Sequence, residues 1–153
     1  MTNAFELPQI CDNVLTEDAF NSLVMRLEDS SMGKYGIEEF KYNNPLHGFI
    51  QNNVPGDLIY IAYVTMTAAS CNVIHVDEDC HIALFHLCDE RWNVDFGGET
   101  ILLDKHGEIE HSILPKKNRL VIFEGDVPHA ARNPTASHGM YRRTLVSRWQ
   151  KRV

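Results

Sequence analysis

Apolar positions along the chain follow two different periods. Before residue 30 they recur every three or four residues, so that Ala19, Phe20, Leu23, Val24 and Leu27 line one face of a helix. Thr16 stands where an N-cap belongs and Glu17 and Asp18 occupy the first turn, so the pattern predicts a helix over 16–29. From Leu58 onward the helical period gives way to short runs rich in Val, Ile, Leu, Phe and Tyr, separated by turn residues. Eight such runs follow in order: Leu58–Thr67, Cys71–Asp77, His81–Cys88, Glu99–Asp104, Ile109–Leu114, Arg119–Phe123, Val127–Ala131 and Tyr141–Trp149. Gly97-Gly98 precede the fourth, and Lys105-His106-Gly107 separate the fourth from the fifth. The stretch between the two regimes, 30–57, carries Gly33, Gly36, Pro45, Gly48, Pro55 and Gly56 and reads as irregular, with a short helix near Glu38.

Eight short strands behind one helix point to a mainly β architecture, a two-sheet jelly roll, rather than a parallel α/β sheet. In a jelly roll the chain behaves as one long hairpin folded over. The fourth run then pairs with the fifth, the third with the sixth, the second with the seventh and the first with the eighth. Residues equidistant from the central turn at Lys105 become neighbours, which brings His75 on the second run to face His129 on the seventh.

A chain of 153 residues, 44% hydrophobic and 23% charged, is the size of one globular domain, and a single domain over 1–153 is expected. At this length roughly 68–70% of the unfolded surface is buried, so the core forms without a metal or disulfide staple and any metal is free to be catalytic. Lys and Arg number 14 against 21 Asp and Glu, a net charge of −7 with no basic run, which argues against a nucleic-acid partner. The opening segment has neither a basic n-region nor an apolar h-region. The longest apolar stretch, Leu58 to Ala69, is too short to cross a bilayer. The expectation is a cytoplasmic protein with no membrane partner, whose Cys11, Cys71, Cys80 and Cys88 are free thiols; no two of them have the spacing of a structural zinc site.

His75-Val76-Asp77 sets an imidazole and a carboxylate two apart, which a strand sends to the same face. With 8 His and 21 acidic residues, about one such pair is expected by chance, and the chain has two. The second, His106-Gly107-Glu108, falls in the central hairpin and reads as a solvated turn. The first has His129 opposite it, completing two histidines and one carboxylate, the facial triad of non-haem Fe(II) oxygenases with coordination positions left open. The last run opens with Arg142-Arg143, of which only one can face the interior. An inward guanidinium beside a mononuclear iron suits a clamp on the distal carboxylate of a dicarboxylic acid; the alternative is two surface arginines.

His75-x-Asp77, Trp92 followed by Gly97-Gly98-Glu99, the Pro115-Lys116-Lys117-Asn118-Arg119 turn before an apolar strand, His129, and an Arg six residues ahead of Trp149 together resemble the Fe(II)/2-oxoglutarate-dependent dioxygenases. The match is strongest to the prolyl 4-hydroxylase-like branch and covers Leu58 to Trp149. The resemblance implies a double-stranded β-helix with an N-terminal supporting helix. It implies Fe(II) held by His75, Asp77 and His129, and 2-oxoglutarate as co-substrate with O2, with ascorbate as an accessory reductant. Oxidative decarboxylation of 2-oxoglutarate to succinate and CO2 would accompany hydroxylation of a prolyl residue in a peptide or protein. An arginine of the last strand would bind the distal carboxylate. The distance to Trp149 selects Arg143, with Leu145, Ser147 and Trp149 on its inward face and Arg142, Thr144, Val146 and Arg148 outward. The opposite register would bury two unpaired arginines.

Two departures accompany the resemblance. Where prolyl hydroxylases commonly offer a Tyr to the same carboxylate, Leu84-Phe85-His86-Leu87 places His86, either as a donor in that role or as a core histidine. The Asn-x-Tyr signature ahead of His75 is missing, with Tyr63, Thr65 and Thr67 as substitutes. The loop Gly33–Gly56 and the segment Cys88–Phe96 are the expected substrate-contacting surfaces, with Trp92 and Phe96 packing in the core. His47, His81, His111 and His138 read as surface or loop residues. Three alternatives remain: hydroxylation of a free amino acid or other small molecule; a nucleic-acid demethylase of the same superfamily, whose paired terminal arginines Arg142 and Arg148 resemble; and a non-catalytic cupin-like binding protein, suggested by His129 followed by Asn133.

Overall fold

A computed structural model of the protein describes residues 8–29, 36–42, 44–70, 72–135 and 139–151. Helix α1, Glu17–Asp29, follows the predicted pattern, with the Thr16 hydroxyl accepting the Ala19 amide at 3.3 Å. The strands that follow are β2 (Asp57–Met66), β3 (Cys80–His86), β4 (Thr100–Leu103), β5 (Ile109–Ile113), β6 (Arg119–Glu124), β7 (His129–Ala131) and β8 (Arg142–Gln150), and a short strand β1 (Gln9–Cys11) precedes α1. One sheet has the order β1-β6-β3-β8-β2 and the other β5-β4-β7, all antiparallel where they pair. The architecture is the double-stranded β-helix jelly roll with an N-terminal helix. The four folded-hairpin pairings are present: β4 with β5, β3 with β6, β2 with β8, and His75 bridging His129.

The structure departs from the predicted pattern in three places. The second run is no regular strand: its described residues join the small sheet through the single bridge at His75, and Cys71 lies outside the described residues. Strand β1, too short to show a period, pairs with β6. Most consequentially, the stretch read as irregular carries two helices, α2 (Ile37–Lys41) near the expected Glu38 and α3 (Pro45–Asn53). Pro45 and Gly48 were read as breakers, yet Pro45 sits at the first turn, where its missing N–H costs nothing, and the Asn44 side chain accepts the Leu46 amide at 3.0 Å as an N-cap. Residues 30–35 of that stretch, and His138, lie outside the described residues.

Helix α3 changes the layering. Phe20, Leu23 and Leu27 of α1, Phe40 of α2, and Leu46 and Ile50 of α3 pack on one face of the five-stranded sheet against Ala83, Phe85, Leu145 and Trp149. The other face packs on the small sheet through Ile82, Leu84, Leu102, Ile113, Val121 and Phe123. Burying each such side chain is worth about 1.5–3 kcal/mol, so both faces of the large sheet contribute to stability and its central strands read as unbroken apolar runs. His47 stacks on Trp149 with ring centroids 5.7 Å apart, and His81 on β3 pairs with Glu124 at 3.3 Å; both are packed rather than loose surface residues. Cys11, Cys80 and Cys88 are free thiols. Among the described residues no helix is long and apolar enough to cross a membrane.

Candidate active site

Between the two sheets, toward the β2–β8 edge, the apolar core gives way to a polar strip, the slot, where Arg142 of β8 reaches across to Gly98 and to Thr100 of the small sheet. The pairing register places Tyr60, Ala62, Val64 and Met66 of β2 beside Arg148, Val146, Thr144 and Arg142 of β8, and Ile82, Leu84 and His86 of β3 beyond them. Val146 on this face packs into the cluster between the sheets, whereas Leu145 and Trp149 belong to the helix-side cluster.

The register expected for β8 is therefore shifted by one. Arg142 faces the slot and is 2% exposed, while Arg143 turns to the helix side and pairs with Glu28 of α1 at 3.4 Å. Ser147 also lies on the helix side, donating to the Ala83 carbonyl and accepting Trp149 Nε1 at 2.9 Å. Tyr63, and with it the face carrying Thr65, likewise points to the helix-side core rather than the slot. The objection to this register, two unpaired interior arginines, is met by the neighbours. Arg148 Nη2 bonds Asp77 Oδ1 at 2.9 Å, and Arg142 finds neutral acceptors.

At the open end of the slot His75, Asp77 and His129 converge, with one ligating atom from each lying within 4.8 Å of the others. Asp77 Oδ2 is 3.5 Å from His129 Nε2 and 3.8 Å from His75 Nε2, and the two rings stand 4.4 Å apart. The backbone aligns them: His75 N–H donates to the His129 carbonyl at 3.0 Å and His129 N–H to the His75 carbonyl at 2.9 Å. Each Nδ1 lies against the carbonyl two residues upstream, Val73 at 2.9 Å and Val127 at 2.8 Å. A carbonyl only accepts, so each Nδ1 carries the proton and each Nε2 presents its lone pair toward Asp77. Burial, and then the neighbouring His75, push the His129 pKa below its usual range, favouring the neutral ligating form. Two preset imidazoles and one carboxylate are a donor set that suits a divalent first-row metal.

Gly125, which the sequence reading passed over, makes this placement possible. Its carbonyl accepts the Asp77 amide at 2.8 Å and its own amide bonds the Cys80 carbonyl at 2.8 Å. A Cβ at this position would overlap the Asp77 carbonyl. Gly125→Ala is thus expected to displace Asp77 and weaken metal binding at least about tenfold, read by calorimetric titration with Co(II) and paired with a thermal melt. Asn133 braces the segment ahead of His75 by donating to the Ala68 and Ser70 carbonyls, a structural task rather than a ligand's.

The closed end of the slot has a different chemistry. Arg142 donates from Nε to the Gly98 carbonyl at 2.7 Å, from Nη2 to Thr100 at 2.9 Å and from Nη1 to Thr144 at 2.9 Å. No carboxylate of the described residues lies within ion-pair distance of it, and burial pulls its pKa down to about 10. His86 is fully buried, with Nδ1 3.3 Å from the Thr144 hydroxyl and Nε2 without a partner. A buried cation with no anion and a buried ring nitrogen with no partner are both costly. Together with Thr144 and Thr100 they suit one carboxylate entering from the end of the slot where His75, Asp77 and His129 converge.

Burial, reinforced by Arg142 and Arg119, holds the His86 pKa well below 6.5. The unfolded chain then takes up a proton that the fold excludes. Stability is full above about pH 6.5 and declines as pH falls below it, by up to about 1.4 kcal/mol per pH unit. Urea unfolding at several pH values checks this, since His86→Leu should remove that part of the acid slope.

Other residues near the cluster have structural tasks. Asp79 sits in the turn beyond Asp77, with φ 57° and its amide bonded to Asp126. Trp92 is buried, with Nε1 on the Gly97 carbonyl at 2.9 Å and Phe96 edge-on to it. Of the segment Cys88–Phe96, the residues Cys88–Arg91 and Phe96 line, with Lys117 and Arg143, a cavity of about 750 Å³ to which His75, Asp77 and His129 do not contribute.

Residues 63–151 match the profile of the 2OG-Fe(II) oxygenase superfamily. Among curated proteins no significant sequence relative is found. Solved structures share the fold at low identity. A Pseudomonas putida prolyl-4-hydroxylase superposes with a TM-score of 0.70 at 17% identity, covering 94% of this chain and 88% of that one. A Trichoplax adhaerens prolyl hydroxylase in complex with a hypoxia-inducible-factor peptide fragment gives 0.67 at 14%, covering 94% and 83%. HygX from Streptomyces hygroscopicus, with nickel and 2-oxoglutarate bound, gives 0.68 at 10%, covering 93% and 81%.

Proposed function

Because this chain belongs to the 2OG-Fe(II) oxygenase superfamily, we propose that it is a hydroxylase that holds Fe(II) through His75 Nε2, Asp77 Oδ2 and His129 Nε2. The observation that carries this reading is the convergence of those three atoms within 4.8 Å, with both imidazole tautomers fixed from behind. Fe(II) and 2-oxoglutarate bound there supply O2 activation, in which 2-oxoglutarate goes to succinate and CO2 and one oxygen atom reaches the substrate.

The protein's own residues do the rest by position. Arg142, with Thr100, Thr144 and His86 beside it, takes the distal carboxylate of 2-oxoglutarate at the closed end, replacing the neutral acceptors with an anion that offsets its buried charge. Neutral His86, its Nδ1 accepting from the Thr144 hydroxyl, donates one hydrogen bond there through Nε2. Val64, Ala62 and Val146 share the strand face between this clamp and the metal ligands and would keep water from that stretch. His75, exposed at the rim, leaves the metal side open to substrate.

A prolyl residue of a peptide or protein is the substrate we favour, supported by the shared fold with prolyl hydroxylases, one of them holding a peptide fragment. The test is succinate release from Fe(II), 2-oxoglutarate and ascorbate against panels of prolyl peptides and of free amino acids. Turnover stimulated by prolyl peptides with a mass gain of one oxygen is expected. Stimulation by amino acids alone would replace the substrate reading, and no turnover with either under full loading would count against the hydroxylase.

A further inference from the structure

Among the described residues Arg148 is the one Lys or Arg that touches a proposed metal ligand, and nothing in the donor set requires it. Its Nη2 bonds Asp77 Oδ1 at 2.9 Å, while the other carboxylate oxygen, Oδ2, is the one turned to both imidazoles. The guanidinium is fixed from its other side by the Tyr60 ring, 4.8 Å from Cζ to centroid, and by its place on β8 between β2 and β3. Its Nε is buried without a partner.

We propose that Arg148 is a positioning residue that holds Asp77 by Oδ1, so that the carboxylate meets the metal through Oδ2 alone. A carboxylate with both oxygens free can close on a cation with both, which would fill a position that co-substrate and O2 need. A guanidinium on Oδ1 removes that option and fixes the carboxylate plane, the task an outer hydrogen-bond partner performs at metal sites. Tyr60 is part of the device, since a guanidinium stacked on an aromatic ring loses less freedom on pairing than a free one. Lys cannot reproduce both the stack and the planar donor.

The inference rests on the metal reading above, and the experiment separates the two. Co(II) is titrated without 2-oxoglutarate into wild type, H129A, R148Q and R148K, recording affinity by calorimetry, the visible Co(II) band at saturation and the melting temperature of each apo-protein. H129A is expected to lose binding. R148Q should bind about 10–100-fold more weakly than wild type, with an altered band, and R148K should recover part of the loss. R148Q within twofold of wild type with an unchanged band, alongside a dead H129A, overturns the role of Arg148 and leaves the metal site standing. H129A binding as wild type overturns both. If R148Q does not fold, R148K decides alone: a fall of about three- to tenfold with a shifted band supports the role, and unchanged affinity and band overturn it.

Discussion

Replacing Arg142 by methionine is expected to abolish 2-oxoglutarate binding while leaving metal binding intact. Removing one partner of a buried charge pair costs about 2–5 kcal/mol, roughly a 30- to 5,000-fold loss of affinity. The unusual part of the expectation concerns the protein without ligand. Arg142 there is a buried cation with only neutral acceptors, and burial already draws its pKa down to about 10. Methionine of similar volume relieves that cost, so the apo-protein should melt no lower than wild type. The signature is a retained melting temperature together with loss of the stabilisation that saturating 2-oxoglutarate gives wild type. Arg143→Ala is the control. Its guanidinium is on the helix side, partly exposed and paired with Glu28, and its removal should leave 2-oxoglutarate affinity unchanged. The opposite result would return the clamp to Arg143.

The second large effect belongs to His129. Its Nε2 faces Asp77, its ring stacks edge-on against Phe123 at 4.8 Å, and its backbone forms both hydrogen bonds to His75. His129→Ala keeps those backbone bonds and removes one of three donors, so the fold should persist while metal affinity falls more than about 100-fold, beyond the loss typical of an outer-shell change. Circular dichroism and metal titration on the same sample check both halves of the expectation.

The pairing of His75 with His129 across 54 residues was legible because a jelly roll is a folded hairpin and its symmetry reads from the central turn alone. The register of β8 was not. The six-residue distance from Arg143 to Trp149 in the family resemblance and the cost of burying two unpaired arginines together put Leu145 and Trp149 on the inward face with Arg143. In the structure Leu145 and Trp149 are buried beneath α1–α3, and the slot face carries Arg142, Thr144, Val146 and Arg148. Alternation on a strand tells which residues share a face, never which of two buried faces it is. The rule against unpaired interior arginines pointed the wrong way because Asp77, counted only as a ligand, also has a second oxygen for Arg148. Gly125 left no trace in the pattern, since the need for a missing Cβ appears only when the Asp77 backbone is packed against it.

If His75, Asp77 and His129 hold one ferrous ion with room for a chelating co-substrate whose far end reaches Arg142, anaerobic titration of the protein with Fe(II) and 2-oxoglutarate, followed by visible absorption, will show it. A weak charge-transfer band is predicted, saturating at one Fe(II) and one 2-oxoglutarate per chain, requiring both, and missing from His129→Ala and Arg142→Met. The absence of that band from folded wild-type protein at saturating concentrations, or its persistence in both variants, would rule out this iron and 2-oxoglutarate site.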